Sequence, residues 1–246
     1  MVRVTTLSSQ RGAYEPASCL RGSVTDTPSA RKPRRLRRGG CHERRRAAIE
    51  RIREEADIRV FDAVEMDYHP DHEADIGAFL ADAGFDCAIG SVHDLDGANV
   101  HARAHFAGKP ETERRELVGR YFEKLVALID SELFAIAAHL DLVERNPHLR
   151  GLATADQYER VADAFARSRT VPEINAGRLL DDYGEFHPAP AFLDVLTERG
   201  VAMTVGTDSH EPGVIAPRAA EIERELTERG IEIADVIDPA ATVSYV

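Results

Sequence analysis

The sequence predicts an α/β protein built on a parallel sheet. Three observations carry that prediction. Short apolar runs alternate with amphipathic, charge-rich segments. The alternation recurs about five times, which is the order of repeated βα units. A polar residue of the kind that does chemistry stands at the end of each confident apolar run. A chain of 246 residues with 43% hydrophobic content is enough for one large domain with a sizeable core.

The elements follow from periodicity in chain order. Glu43–Ala56 reads as a helix, with Ala47, Ile49, Ile52 and Ala56 among charges. Val60–Met66 reads as a short strand, and Asp71–Ala83 as a helix with Ile76, Phe79 and Leu80 on one stripe. Asp86–Val92 reads as a buried strand. Glu111–Ser131 is the longest amphipathic helix, with Leu117, Tyr121, Leu125 and Leu128 in register. Leu133–Leu140 reads as a strand. Thr154–Arg167 reads as a helix whose Thr154 and Gln157 have the spacing of a capping box. Thr170–Asn175 is a strand, Ala189–Arg199 a helix stopped by Gly200, and Val201–Gly206 a strand. Arg218–Arg229 is a helix stopped by Gly230, and Ile231–Val236 is the candidate for a last strand.

Composition excludes several classes of protein. No apolar run is long enough for a transmembrane helix, and the N-terminus lacks the order of a secretory signal. Three cysteines (Cys19, Cys41 and Cys87) with no CxxC exclude a disulfide scaffold and a cysteine-rich zinc module, and point to the cytoplasm. The net charge is −12, unevenly spread. Residues 1–46 hold twelve Lys/Arg against three acids, and the rest holds nineteen against forty. Only Lys32, Lys109 and Lys124 are lysines. Such an acidic body repels nucleic-acid phosphates and stays soluble when salt screens its charge. No GxGxxG or P-loop follows any strand, so nucleotide-phosphate binding of that kind has no support.

The strand ends carry Glu65, His93, His139, Asn175, and the pair Asp208 and His210. In a parallel α/β barrel such ends meet at one face, where active sites form. Imidazoles with carboxylates suit Zn, Mn or Fe(II), and a carboxylate such as Glu65 can bridge two ions. Two or more ions can clamp an attacking hydroxide and the oxygens of a phosphate ester. Arg178, next to Gly177, is the candidate to grip a phosphate, and His187, before Pro188, a candidate to line the mouth. His101, His105 and His148 read as solvated, while His69 and His72 are ambiguous.

Val64-Glu65-Met66-Asp67-Tyr68, Ile89-Gly90-Ser91-Val92-His93, Ala138-His139-Leu140-Asp141, Pro172-Glu173-Ile174-Asn175 and Gly206-Thr207-Asp208-Ser209-His210 together resemble the PHP (polymerase and histidinol phosphatase) superfamily. The similarity is greatest to the histidinol-phosphatases of histidine biosynthesis, and covers about residues 43–230. The resemblance implies a distorted (β/α)7 barrel with divalent metal ions (Zn, Mn or Fe), two or three in number, at its C-terminal face. It makes Glu65, His93, His139, Asp208 and His210 the metal ligands. Glu65, Asp208 and Arg178 become the catalytic residues, and Arg178, Asn175 and His187 the substrate-binding ones. The implied substrate is a small phosphorylated metabolite, L-histidinol phosphate, cleaved by in-line attack of hydroxide on phosphorus.

One departure shapes the expectation. The family opens with a strand ending in His-x-His, followed by a further Asp and His. Residues 1–42 contain no His-x-His, and His42 is their only histidine. The expected architecture is therefore a basic, disordered or aberrant leader over 1–42, then a metal-dependent phosphatase domain over 43–246. That domain is a barrel incomplete at its N-terminus, short of three or four ligands and impaired in activity. Alternatives are a phosphoesterase of the same superfamily acting on another ester, a non-catalytic remnant with a basic partner-binding arm, and an amidohydrolase. The last is disfavoured because no lysine stands at a strand end to bridge metals.

Overall fold

The computed structural model describes residues 41–55 and 57–236. The leader expected over 1–42 lies outside these residues, apart from its last two, which open the first helix. That helix, α1 (Cys41–Glu55), is strongly charged and buries little beyond Ile49. Its arginines hold it in place. The Arg45 guanidinium pairs with Asp62 at 2.5 Å and lies over the Phe85 ring at 4.8 Å, while Arg53 Nε donates to the Val60 carbonyl at 2.8 Å.

Five strands form one parallel sheet in the order β1 (Ala63–Asp67), β2 (Cys87–Ser91), β5 (Ile136–Ala137), β6 (Val171–Asn175), β7 (Thr204–Gly206). Parallel pairing requires long crossovers, and helices supply them. These are α2 (Glu73–Ala83), α4 (Glu111–Asp130), α5 (Ala155–Arg167) and α6 (Pro190–Glu198), followed by α7 (Ile215–Arg229). Buried on all five of its residues, β2 is the central apolar run the sequence promised. Within the described residues β1 and β7 each have one strand neighbour. An isolated parallel bridge, Met203 to Ile233, is all that appears of the last strand expected over Ile231–Val236.

The core lies between the sheet and α4, whose Leu117, Val118, Tyr121, Phe122, Leu125, Leu128 and Ile129 are buried. Each such large apolar side chain contributes roughly 1.5–3 kcal/mol. Phe122 meets Phe192 of α6 at 6.0 Å, and Tyr158 of α5 stacks on the same ring at 4.4 Å. The capping box at Thr154 is formed in both directions, and α7 ends where Gly230 takes φ 65°.

Several expectations shift. The strand expected over Leu133–Leu140 keeps two residues, because Glu132 and His139 both take positive φ and turn the chain. Its backbone still pairs beyond them, Ala135 N to Ala88 O and Ala138 N to Gly90 O. The first strand begins at Ala63 rather than Val60, since the Asp62 backbone N–H is drawn to the Asp86 carboxylate at 2.6 Å. A hairpin of β3 (Asp94–Leu95) and β4 (Ala98–Asn99), with the short α3 (Arg103–Ala107) after it, was not anticipated. Its turn places Asp96 and Gly97 both at positive φ, the conformation favoured for an Asp-Gly hairpin turn. Among the described residues no helix is long and apolar enough to cross a membrane.

Candidate metal centre

Adjacent register on β1, β2 and β5 brings three polar residues to one end of the sheet. Glu65 lies on β1, His93 follows β2, and His139 follows β5. Their ligand atoms all lie within 4.8 Å of one another. Glu65 Oε1 is 3.2 Å from His139 Nε2 and 3.9 Å from His93 Nε2, and the two imidazoles meet at 4.9 Å. Around His93, Asp67 accepts its backbone N–H at 2.7 Å. Ser91 Oγ donates to the Met66 carbonyl at 3.2 Å and sits 3.1 Å from His93 Nδ1. Ser91 and Asp67 together hold the His93 ring with its Nε2 edge toward Glu65.

Electrostatics follow the crowding. Burial pushes the Glu65 carboxyl up, but the His139 hydrogen bond and the charges of His139 and His93 overcome it and hold it at about 2. Burial lowers His93, and Asp67 and Glu65 outweigh that and raise it. Glu173 behaves oppositely: burial, with the charges of Asp208 and Glu65, pushes it to about 8 against the Asn175 hydrogen bond. The donor set fits a divalent ion. Two imidazoles and a carboxylate converge without a thiolate, and the buried Nδ1 of His139 has no hydrogen-bond partner among the described residues.

A second group stands at the end of β7. Asp208, at φ 44°, lies 3.3 Å from His210 Nε2 and 3.8 Å from Arg145 Nη2. Buried Arg218 pins this turn by donating to the carbonyls of Thr207 and Asp208 at 3.1 and 2.9 Å. Two glycines make room. A Cβ at Gly177 would overlap Asp208 Oδ2, and one at Gly206 would overlap Glu173 Oε1.

No family model matches the chain. A probable histidinol-phosphatase of Deinococcus radiodurans is 30% identical over 178 residues, which is 71% of this chain and 65% of the relative. The chain thus spans just under two thirds of that relative's length. The crystal structure of histidinol phosphate phosphatase from Lactococcus lactis, complexed with zinc, L-histidinol and phosphate, superposes with a TM-score of 0.61. Identity there is 20%, over 78% of this chain and 74% of the other. The chain is similar to both proteins over most of its length.

Of the expected ligands, the fold gathers Glu65, His93 and His139 in one cluster and pairs Asp208 with His210. Asn175 is buried and used at both ends, its amide nitrogen on Glu173 at 2.8 Å and its oxygen on Gly177 N at 2.8 Å. Arg178 is exposed and paired with Asp181 at 2.9 Å. His187 does not line a mouth. It is fully buried, with Nδ1 on Asp141 and Nε2 accepting from Arg145 Nε at 2.7 Å. His148 is half-buried rather than solvated. His101 is exposed, yet partial burial and the nearby Arg145, His93 and His139 charges hold it down at about 4.

Sequence reasoning assigned no role to Arg145, Asp141 or Glu173. Asp141 and Glu173 stood inside the quoted motifs. Arg145 follows six residues after His139, on a 3-10 turn (Leu142–Arg145) too short for periodicity to show. The Leu142 backbone N–H donates to Tyr121 Oη at 3.1 Å, which ties that turn to α4.

Proposed function

We propose that the chain is a metal-dependent phosphomonoester hydrolase of the histidinol-phosphatase kind, releasing phosphate from L-histidinol phosphate in histidine biosynthesis. The observation that carries this reading is the convergence of Glu65, His93 and His139 at one sheet end. The named relative and the structural likeness support it. Such a biosynthetic role belongs to the cytoplasm. In this reading the five-stranded sheet is part of a distorted (β/α)7 barrel, with β1 paired on one side alone among the described residues.

Glu65, His93 and His139 would hold zinc, manganese or iron, with Asp208 and His210 as ligands to a second or third ion. A bound divalent ion supplies a nucleophile at neutral pH and neutralises charge on phosphoryl oxygens. The chain's own residues do the rest. Arg145 presents a buried guanidinium beside Asp208, the geometry that grips a phosphoryl oxygen and stabilises its growing charge. Exposed Arg178 is free to swing from Asp181 to an incoming anion. Asn175 holds Glu173 and the Gly177 turn in place.

The test is phosphate release by the full chain with added zinc or manganese, across a panel of phosphate esters. Highest kcat/KM for L-histidinol phosphate is expected, and His139→Ala should lower it by more than about a hundredfold. Preference for a nucleotide or sugar phosphate would move the substrate assignment to another ester. Absence of both turnover and metal binding would leave the remnant reading in its place.

A further inference from the structure

We propose that the buried Asp141–His187 pair is a positioning device that fixes the imidazole tautomer and thereby aims Arg145 at an anion beside Asp208. This rests on the reading of Arg145 as the group that receives the phosphoryl oxygens.

A guanidinium has five N–H donors and no acceptor. Arg145 Nε lies 2.7 Å from His187 Nε2, so Nε2 must offer a lone pair and the ring proton must sit on Nδ1. Nδ1 faces Asp141 Oδ1 at 2.5 Å, and an ionised carboxylate accepts it. The other oxygen, Oδ2, accepts the Ala189 backbone N–H at 2.7 Å. Every atom of the pair is thus committed, and both side chains are fully buried.

The ring cannot rotate. Its backbone pairs twice with Asn175, at 2.7 and 3.0 Å, and Tyr183 stacks on it at 4.7 Å with planes 5° apart. A rigid acceptor therefore holds one edge of the Arg145 guanidinium. That edge is only half satisfied. Nη2 is buried without a hydrogen-bond partner among the described residues, its nearest acid being Asp208 at 3.8 Å. The Arg145 side chain keeps only 10% of its exposure. A buried cation left this way is costly, and an oxyanion at Nη2 relieves it.

Asp141→Asn is the sharp variant, because it keeps shape and removes the logic. If the new amide faces His187, its N–H forces the ring proton to Nε2, against Arg145. If it faces Ala189, two N–H groups collide there instead. His187→Gln retains an acceptor oxygen near the place of Nε2, whereas His187→Leu retains volume alone.

The readouts are the 15N signals of the labelled histidines in the full chain and calorimetric binding of inorganic phosphate with zinc present. Thermal unfolding checks that each variant folds. In the wild type His187 should show a protonated Nδ1 and a bare Nε2. Asp141→Asn and His187→Leu should each weaken phosphate by at least about tenfold, with zinc affinity within about threefold. His187→Gln should stay within about threefold of wild type for phosphate. A protonated Nε2 in the wild type would overturn the proposal. So would unchanged phosphate affinity in Asp141→Asn, equal losses in His187→Gln and His187→Leu, or no phosphate binding at all. A wild type that binds phosphate in this Asp141-dependent way but hydrolyses no ester would sink the phosphatase reading and leave the positioning device standing. Full turnover with unchanged phosphate affinity in both Asp141→Asn and His187→Leu would do the reverse.

Discussion

Glu173 shows what a single buried carboxyl costs and why it is tolerated. Its Oε1 fills the space that a side chain at residue 206 would need, its Oε2 accepts from Asn175, and burial raises it to about 8. A carboxyl raised in the folded state stays protonated there while the unfolded chain has already ionised. Stability is then fully present at low pH and falls as pH rises from the unfolded value of 4.5 toward 8. The slope reaches at most about 1.4 kcal/mol per pH unit. Glu173→Gln removes the titration and should flatten that decline in chelator-treated protein, as read by urea unfolding at a series of pH values. An equally steep decline in the variant would show that Glu173 is not its source. Gly206→Ala, placed against the same oxygen, should destabilise by about 1–3 kcal/mol, measured in the same assay. The motif containing Glu173 and Asn175 was legible, but their mutual hydrogen bond was not. Two residues apart on a strand, they share a face, and only the fold shows that this face is occupied by Gly206.

Elements were legible in proportion to their length. α4 and α5 offered several turns of apolar period, and both stand within a residue or two of where that period put them. The Thr154 cap was readable because its chemistry is local: a hydroxyl and a carboxamide three residues apart satisfy two backbone N–H groups. Thr154→Ala should therefore cost about 1 kcal/mol, checked by chemical denaturation, and a loss indistinguishable from zero would mean that solvent replaces the cap. The hairpin of β3 and β4 escaped because its strands have two residues each, too few for alternation to register. Asp96-Gly97 was its signal. That hairpin matters to the site, since the Val100 N–H donates to the His93 carbonyl at 2.8 Å and so fixes the chain just after a candidate ligand. The 3-10 turn that delivers Arg145 was hidden for the same reason, lying between His139 and α5 with no period of its own.

At the scale of the molecule, the sequence announced that the strand ends would share a site, and the sheet order explains why three of them meet. Strands β1, β2 and β5 are immediate neighbours, so Glu65, His93 and His139 arrive side by side, while Asp208 and His210 come from β7 at the other end of the order. Curvature of the sheet, which sequence periodicity does not encode, decides how the two groups approach. The arrangement makes a metal ion a clasp as well as a reagent. An ion held by Glu65, His93 and His139 ties three strands together at one end, and β1, paired on one side alone among the described residues, gains most. Any ligand that binds the folded state and not the unfolded one stabilises it by mass action, by about 2.7 kcal/mol at a hundred times Kd. In a chain of this size that corresponds to a rise in Tm of about 5–10 °C. Zinc should therefore raise Tm by about that amount whether or not the chain turns over any ester, and a chelator should reverse the rise. His139→Ala should abolish most of it. His210→Ala should leave the larger part, because the cluster on β1, β2 and β5 would still be whole. Loss of the whole zinc effect in His210→Ala would mean instead that the ion sits between the two groups and draws β7 toward β1.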